Sequence, residues 1–194
     1  MIFFIFVSAV GTTGSGTLEA QSCEQLLQLW LHSDIFFTSI KYHNIGYNGF
    51  MKIAISACLC GKNVRYDGSN KKDERLLKLL KGHELVLICP ETSAGFPIPH
   101  EPLEILSGKV FTSSMKDVTD KLIQGSYKCL AQIKDCDMVI LKQKSPSCGK
   151  GKIYDGSFSG RLIEGNGIFT KMCIDNGYRV FSEEDYECIR KELG

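Results

Sequence analysis

The sequence predicts a small doubly wound α/β domain, with a mostly parallel sheet and helices on both faces, preceded by a poorly ordered N-terminal extension. Two observations predict this fold. Four short apolar runs alternate with four amphipathic segments over residues 51–194, an order typical of a parallel sheet covered on both faces. Right-handed crossovers between such strands place helices on either side of the sheet. The length of 194 residues suits one such domain and a tail.

The individual elements follow from the spacing of apolar residues. The predicted strands are the apolar runs at residues 53–56, 85–88, 138–141 and 178–181. The predicted helices have apolar residues along one stripe and cover residues 73–80, 117–134, 168–176 and 183–193. Gly177 stands at the expected C′ position of the third helix, and Ser182 is the expected cap of the last. Residues 102–106 are expected to form a helical turn, and the glycine-rich stretch 149–167 a long loop.

The first fifty residues differ from the rest in composition. They hold nine of the nineteen aromatic residues and only four charged ones. Their apolar start, residues 1–10, is too short for a bilayer span of about 20 residues, and no cation precedes Lys41 as a signal peptide would require. Residues 18–32 are expected to form a short amphipathic helix. We interpret Met51, which leads directly into an apolar strand, as the native start; a genuine N-terminal extension is the alternative.

The overall charge argues against a general nucleic-acid-binding protein. Lys and Arg total 23 and Asp and Glu total 22, a net charge of +1. The four charges of residues 1–50 sum to −2, which leaves +3 for residues 51–194, and phosphate contacts need a clear basic excess. The nine cysteines are an odd number, too few for a disulfide scaffold in a chain of this length. We therefore expect a reducing, cytoplasmic location with metal or redox chemistry at some of these thiols, and no membrane partner.

Three cysteines follow three different predicted strands. Cys58 comes two residues after the first strand, Cys89 ends the second, and Cys148 lies in the loop after the third. Because the carboxyl ends of parallel strands meet at one edge of a sheet, where ligands bind in such folds, these thiols are expected to converge. Three thiolates without a fourth ligand leave a position open for water or substrate on zinc, or on one iron of a four-iron cluster. Buried loop cysteines without metal are the alternative.

The other cysteines are interpreted differently. Small buried cysteines usually serve as apolar packing, and we assign that role to four that fall in helical patterns or at a turn: Cys129, Cys136, Cys173 and Cys188. Cys60 forms a Cys-x-Cys pair with Cys58. We interpret Cys60 as a bystander, with an additional metal ligand as the alternative.

Polar residues accompany the three strand-end cysteines. Glu91 lies two residues after Cys89, and Ser147 directly precedes Cys148. The tripeptide Tyr-Asp-Gly occurs after two of these cysteines, at residues 66–68 and 154–156, although turn formation alone explains Asp-Gly. His100 ends a proline-rich loop and is expected to be a solvated loop residue or part of a pocket wall.

Several ordered motifs resemble a known family. They are, in chain order, Ser56-Ala57-Cys58-Leu59, Arg65-Tyr66-Asp67-Gly68, Cys89-Pro90-Glu91, Pro97-x-Pro99, Ser145-Pro146-Ser147-Cys148-Gly149 and Tyr154-Asp155-Gly156-x-Phe158-Ser159-Gly160. Together they resemble the bacterial domain-of-unknown-function family 523, whose characterised members are thiouracil desulfidases. The resemblance runs from Met51 to about Glu184, essentially the whole globular part, and it supports a start at Met51.

The resemblance implies a chemistry and a set of site residues. It implies a [4Fe-4S] cluster on Cys58, Cys89 and Cys148, and a non-redox reaction in which water replaces the sulfur of a thiolated pyrimidine such as thiouracil. Glu91 corresponds to the acid/base carboxylate and Ser147 to an assisting hydroxyl. Four further residues of the motifs are predicted to contact the substrate: Ser145, Arg65, Tyr66 and Asp67.

Other functions remain open at this point. Thiouridine within transfer RNA is an alternative substrate, although +3 over residues 51–194 offers little for RNA binding. A non-enzymatic iron–sulfur or zinc module, for storage or redox sensing, is another alternative. Phosphate binding by the glycine-rich loop is disfavoured, because no P-loop or dinucleotide-binding motif follows a strand.

Two positions depart from the family pattern, Cys60 where Leu is usual and His100 where Arg is common.

Overall fold

The computed structural model describes residues 49–194. The predicted helix at residues 18–32 lies outside the described residues, and the interpretation of Met51 as the native start stays a prediction. No helix within residues 49–194 is long and apolar enough to cross a membrane.

The chain from residue 49 alternates strands and helices. The strands are β1 (Lys52–Ser56), β2 (Glu84–Ile88), β3 (Leu103–Leu106), β4 (Lys109–Thr112), β5 (Met138–Leu141), β6 (Lys152–Tyr154), β7 (Leu162–Glu164) and β8 (Val180–Ser182). The helices are α1 (Glu74–Leu79), α2 (Pro90–Ser93), α3 (Thr119–Gln132), α4 (Ile168–Asp175) and α5 (Tyr186–Leu193), with a 3₁₀ turn at Ala57–Cys60.

The central sheet has four parallel strands in the order β2-β1-β5-β8. In its middle, Ile53 of β1 pairs with Leu85 of β2 and with Met138 of β5. The predicted α/β fold with a parallel sheet is confirmed. All four carboxyl ends point to the same edge, so the segments that follow β1, β2 and β5 meet there.

Two hydrophobic cores cover the two faces of this sheet. Side chains alternate along each strand, so Ile53 and Ile55 face one side of β1 and Ala54 the other. The first side packs against α1 and α5, through Leu76 and Ile189. The opposite side packs against α3 and α4, a cluster that includes Cys129, Ile133, Phe169 and Cys173. This arrangement is the predicted doubly wound architecture.

The prediction of a helical turn at residues 102–106 is wrong. Leu103–Leu106 is strand β3, which pairs antiparallel with β4. Ser107 and Gly108 connect the strands with φ of 50° and 80°, the positive values of a tight hairpin turn. Leu103 and Ile105 are buried in a third core with residues of α3 and β6. This hairpin places Glu104 beside the site described below.

Two other expectations need correction. The stretch 149–167 is not a continuous loop, because β6 and β7 pair within it as an antiparallel hairpin. Ser182 does not cap the last helix: Asp185 is the residue before α5, and its carboxylate accepts hydrogen bonds from the backbone and hydroxyl of Ser182 at 2.8 and 3.1 Å. An acidic side chain at a helix start stabilises the positive end of the helix dipole, although the Asp185 side chain makes no capping hydrogen bond to α5.

Candidate active site

A cavity of about 700 Å³ opens at the carboxyl ends of β1, β2 and β5. Cys58, Cys89 and Cys148 all line it. The three thiols, which lie up to 90 residues apart in the sequence, are therefore brought to one place, as the strand positions predict. Cys60 is not among the lining residues; it is half-buried and packs against the α1–α5 core.

Burial dominates the electrostatics of the three lining thiols. It raises the pKa of Cys58 to about 11, in part offset by the nearby cations of Lys142 and Arg65. Burial also raises the pKa of Cys89, and that of Cys148 well above the usual range. Metals bind thiolates, so loading this site releases protons. The neighbouring cations favour the anionic form that a metal requires.

Helix α2 positions Cys89 and Glu91. Cys89 precedes the helix and Pro90 is its first residue, a position that suits the fixed φ of proline. Hydrogen bonds from Thr92 and from the backbone of Glu91 lower the pKa of the Cys89 thiol, against the larger effect of burial. Helix α3 packs tightly on α2 at Gly125, where a Cβ atom would lie 2.2 Å from the Pro90 carbonyl oxygen.

The segment that carries Ser147 and Cys148 is fixed by the start of α4. The backbone amide of Phe169 and the hydroxyl of Thr170 donate to the Ser147 and Cys148 carbonyls at 2.9 and 2.8 Å. A Cβ atom at Gly167 would lie 2.5 Å from the Ser147 carbonyl group. Only glycine permits this close approach, so Gly167 allows α4 to pack against the segment that carries Ser147 and Cys148.

A directed hydrogen-bond chain joins two serines to a carboxylate. The Ser147 hydroxyl donates to Glu91 Oε1 at 2.7 Å. Ser145 Oγ lies 2.8 Å from Ser147 Oγ and accepts from the backbone amides of Ser147 and Cys148, each at 3.2 Å. Because the one Ser147 proton points to Glu91, Ser145 is the donor between the serines. All three side chains line the cavity.

His100 contacts the other oxygen of Glu91. Its Nε2 lies 3.4 Å from Glu91 Oε2 and is buried without a hydrogen bond inside the described range. Its Nδ1 lies 2.6 Å from the Glu101 carbonyl oxygen; a carbonyl can only accept, so Nδ1 carries the proton. Burial disfavours the charged ring, but Glu91 and the Glu101 carbonyl outweigh it and raise the pKa of His100. His100 is thus part of the site rather than a solvated loop residue.

The two Tyr-Asp-Gly segments form equivalent turns. Asp67 Oδ1 accepts from the backbone amide of Ser69 at 2.9 Å, and Asp155 Oδ1 from that of Ser157 at 3.0 Å. The Ser69 hydrogen bonds lower the pKa of Asp67 to about 2. Asp67 does not line the cavity, whereas its neighbours Arg65 and Tyr66 do. Its carboxylate supports the turn that presents Tyr66, so its predicted substrate contact stays a prediction.

Several lining residues were not anticipated from the sequence. Three are cations, Lys71, Lys142 and Lys144. Lys142 pairs with Glu183 and Lys144 with Glu184, and the lining residue Arg65 pairs with Asp67. Two further ones are Glu104 and Phe158. Phe158 belongs to a motif that carries the family resemblance, which is the one signal that marks it. Glu104 lies in the misassigned hairpin and has no such signal.

The remaining cysteines of residues 49–194 do not line the cavity. Cys129, Cys136 and Cys173 are buried in the α3–α4 core, as expected for apolar packing. The same expectation is wrong for Cys188, which is exposed on α5. Among residues 49–194, no group of three or more His, Cys, Asp or Glu side chains is arranged to hold a single metal ion.

The chain is similar to known proteins in sequence and in structure. A family model described as 2-thiouracil desulfurase matches residues 53–185. The uncharacterized protein YbbK of Bacillus subtilis (strain 168) is 41% identical over 149 residues, which cover 71% of this chain and 99% of YbbK. The solved structure of TudS, a [4Fe-4S]-dependent thiouracil desulfidase, is similar with a TM-score of 0.69 and 36% identity, over 74% of this chain and 97% of that one.

Proposed function

Because this chain belongs to the 2-thiouracil desulfurase family, we propose that it removes sulfur from a thiolated pyrimidine such as thiouracil, with a [4Fe-4S] cluster held by Cys58, Cys89 and Cys148. The chain is an enzyme of the thiouracil desulfidase type. The observation that carries the proposal is the convergence of three thiols, Glu91 and Ser147 on one cavity. We assign residues 51–194 as the single catalytic domain and residues 1–50 as an extension.

The residues of the cavity fit an iron–sulfur cluster. Soft thiolates are the ligands that such clusters take, and a four-iron cluster spreads its ligands more widely than one ion does. Hydrogen bonding by Thr92 lowers the pKa of the Cys89 thiol, and hydrogen bonds to ligand sulfurs tune a cluster. With three cysteine ligands the cluster would supply one open iron position, a Lewis acid that would draw electrons from the carbon of a thiocarbonyl.

The protein residues supply the proton chemistry. Overall, thiouracil and water give uracil and hydrogen sulfide, with no change in oxidation state. Glu91 is the proposed base that takes a proton from the attacking water, a role worth about 10²–10⁴-fold in rate. Ser147 holds Glu91 Oε1 at 2.7 Å, which leaves Oε2, beside His100, to receive that proton. The half-buried position of Glu91, whose side chain is 13% exposed, limits access of bulk water.

Anaerobic reconstitution of the full chain with iron and sulfide tests this function. We expect about four irons per chain, and conversion of 2-thiouracil to uracil with release of sulfide. Iron content should fall sharply in Cys58→Ala, Cys89→Ala and Cys148→Ala but not in the matched control Cys60→Ala. An iron-loaded enzyme that leaves 2-thiouracil and 4-thiouracil unchanged contradicts the proposed activity, and binding of zinc in place of iron contradicts the cofactor.

Thiouridine in transfer RNA is a second candidate substrate. The observation that favours it is the presence of four cations in the cavity lining, Arg65, Lys71, Lys142 and Lys144, since cations bind a phosphate backbone; all but Lys71 are paired with carboxylates. Parallel assays with the free base and with thiouridine-containing transfer RNA separate the two. Faster turnover of the free base, with little dependence on salt concentration, supports the small-molecule substrate.

A further inference from the structure

Glu104 is a buried carboxylate inside the cavity wall. The residue is 8% exposed and lines the same cavity as the three cysteines. Within residues 49–194 it makes no ion pair; instead its Oε2 accepts hydrogen bonds from the backbone amides of Gly156 and Phe158 at 3.0 and 2.9 Å. Burying a carboxylate is costly unless it is hydrogen-bonded, and these two bonds tie it to the segment at residues 155–160, which we call the 155–160 loop.

The second carboxylate oxygen has no such partner. Glu104 Oε1 takes part in no hydrogen bond across the described part of the chain. One oxygen is thus committed to the 155–160 loop, and the other remains an acceptor in a residue that lines the cavity. The residue is largely buried, but Oε1 is not among the fully buried unpaired atoms of residues 49–194, so it remains accessible to a ligand. An unpaired acceptor in a site of this kind discriminates between ligands that carry a matching donor and ligands that lack it.

The 155–160 loop holds Phe158 in an unusual backbone conformation. Its φ is 56°, a left-handed value that is rare for an aromatic residue and persists only where the surroundings impose it. The surroundings do so here: Glu104 binds the Phe158 amide, and Gly156 packs so closely that a Cβ atom would lie 2.5 Å from Leu106 Cβ. The half-buried Phe158 ring lines the cavity.

From this arrangement we infer that Glu104 and Phe158 recognise the pyrimidine ring of the substrate. Glu104 Oε1 accepts a hydrogen bond from a ring N–H, and Phe158 provides an aromatic surface for the ring face, since base–aromatic stacking contributes substantially to binding. The inference rests on the proposed function and adds the residues that select the ring. Because uracil has the same ring N–H groups as thiouracil, this recognition does not depend on the sulfur.

Glu104→Gln separates ring recognition from loop anchoring. The amide oxygen of Gln still accepts the Gly156 and Phe158 amides, while its NH₂ group replaces the free acceptor with a donor. We expect the KM for 2-thiouracil and the dissociation constant for uracil to rise about tenfold or more, with a much smaller change in kcat. Uracil binding to the iron-loaded full chain is measured by calorimetry, independently of turnover.

Two further variants show whether a change in uracil binding is specific to Glu104 and the aromatic ring. Glu164→Gln makes the same chemical change at an exposed position on β7 and should leave both constants unchanged. Phe158→Leu keeps an apolar side chain without the aromatic face and should weaken uracil binding about fivefold or more. Iron content and melting temperature confirm that each variant is folded and loaded. Unchanged uracil binding in Glu104→Gln overturns the inference while leaving the proposed desulfidase activity intact.

Methylated ligands test the ring N–H contact directly. We expect either 1-methyluracil or 3-methyluracil to bind the native protein about tenfold more weakly than uracil, and this difference to shrink in Glu104→Gln. An equal methyl penalty in the native protein and in Glu104→Gln shows that Glu104 does not receive the N–H, and overturns the inference. Uracil binding in a wild-type enzyme that fails to desulfurate any thiouracil would instead contradict only the proposed function.

Discussion

The hydroxyl of Ser147 donates a 2.7 Å hydrogen bond to Glu91 Oε1 across 56 residues of sequence. This bond connects the segment after β2 with the segment after β5, each of which also carries a cysteine that lines the cavity. The position of the carboxylate is therefore coupled to the position of both thiols. A base placed in this way keeps a fixed distance to any group bound by Cys89 and Cys148, which is what catalysis by positioning requires.

Replacement of Glu91 by Gln removes the proposed base without changing its shape. We expect turnover of 2-thiouracil to fall at least about 100-fold, with the iron content unchanged because Glu91 is not a proposed ligand. Activity and iron are measured on the same anaerobic preparation. Normal turnover in Glu91→Gln would mean that another group deprotonates the water, and the matched exposed variant Glu84→Gln serves as control.

Ser147→Ala tests the orientation of Glu91 rather than its chemistry. Loss of a hydrogen bond to a carboxylate costs about 1.5–3 kcal/mol, so we expect kcat to fall about tenfold or more, less than in Glu91→Gln. The two effects should not add in the double variant, because Ser147 acts through Glu91. Additive losses measured in the four-enzyme cycle would show that Ser147 has a separate role. Ser107→Ala, at an exposed serine of the turn between β3 and β4, is the control.

The contact with Glu91 makes His100 a pH-dependent group. The pKa of His100 is raised from its usual 6.5 despite burial, so the folded protein binds this proton more tightly than the unfolded chain does. The corresponding stability is fully present below about pH 6.5 and is lost as the pH rises through the raised value. We expect the stability difference between the native protein and His100→Asn, measured by denaturation at a series of pH values, to shrink as the pH rises from about 6.5 through the raised pKa.

Nuclear magnetic resonance of the labelled imidazole ring measures the same pKa directly. In Glu91→Gln the neighbouring negative charge is gone while burial remains, so the pKa of His100 should fall. An unaltered His100 titration in Glu91→Gln would mean that the carboxylate does not stabilise the charged ring.

The convergence of the cysteines was predictable because it depends only on the ends of strands. Apolar runs such as residues 138–141 identify buried strands, and a parallel sheet brings their carboxyl ends together. Small errors in strand boundaries do not change this result. The observed β8 begins at Val180, two residues after the predicted start, without any effect on the cavity. The roles of Glu91 and Ser147 came instead from the family resemblance, and their hydrogen bond is a tertiary contact that local pattern cannot reveal.

Glu104 and Phe158 were not predicted as site residues, because their positions depend on tertiary packing rather than on strand ends. Strand β3 has four residues, too few for a period of two to be distinguished from a helical turn. The Ser107–Gly108 pair was not recognised as a hairpin turn, and Glu104 was consequently not placed in the cavity wall. The positive φ of Phe158 is imposed by tertiary contacts, since no intrinsic preference of phenylalanine favours it. The positions of Glu104 and Phe158 depend on how the two hairpins pack together, and local sequence patterns do not specify that tertiary arrangement.

Gly125 offers a test of how α3 supports the site. Alanine has a higher helix propensity than glycine by about 1 kcal/mol, so Gly125→Ala would stabilise an isolated helix. In the folded protein its Cβ atom would lie 2.2 Å from the Pro90 carbonyl oxygen and 2.6 Å from Ala94. Backbone atoms cannot move aside as a flexible side chain can, and overpacking of this kind costs about 1–3 kcal/mol or more.

The steric cost should exceed the gain in helix propensity. We therefore expect Gly125→Ala to lower the melting temperature and, because α2 must shift together with Cys89 and Glu91, to lower both iron retention and kcat. Gln124→Ala, an exposed position on the same helix, introduces an alanine without the clash and should leave activity unchanged. Loss of stability with full iron content and full turnover would show that α2 moves as a rigid unit with the cavity, and that the α2–α3 contact serves folding alone.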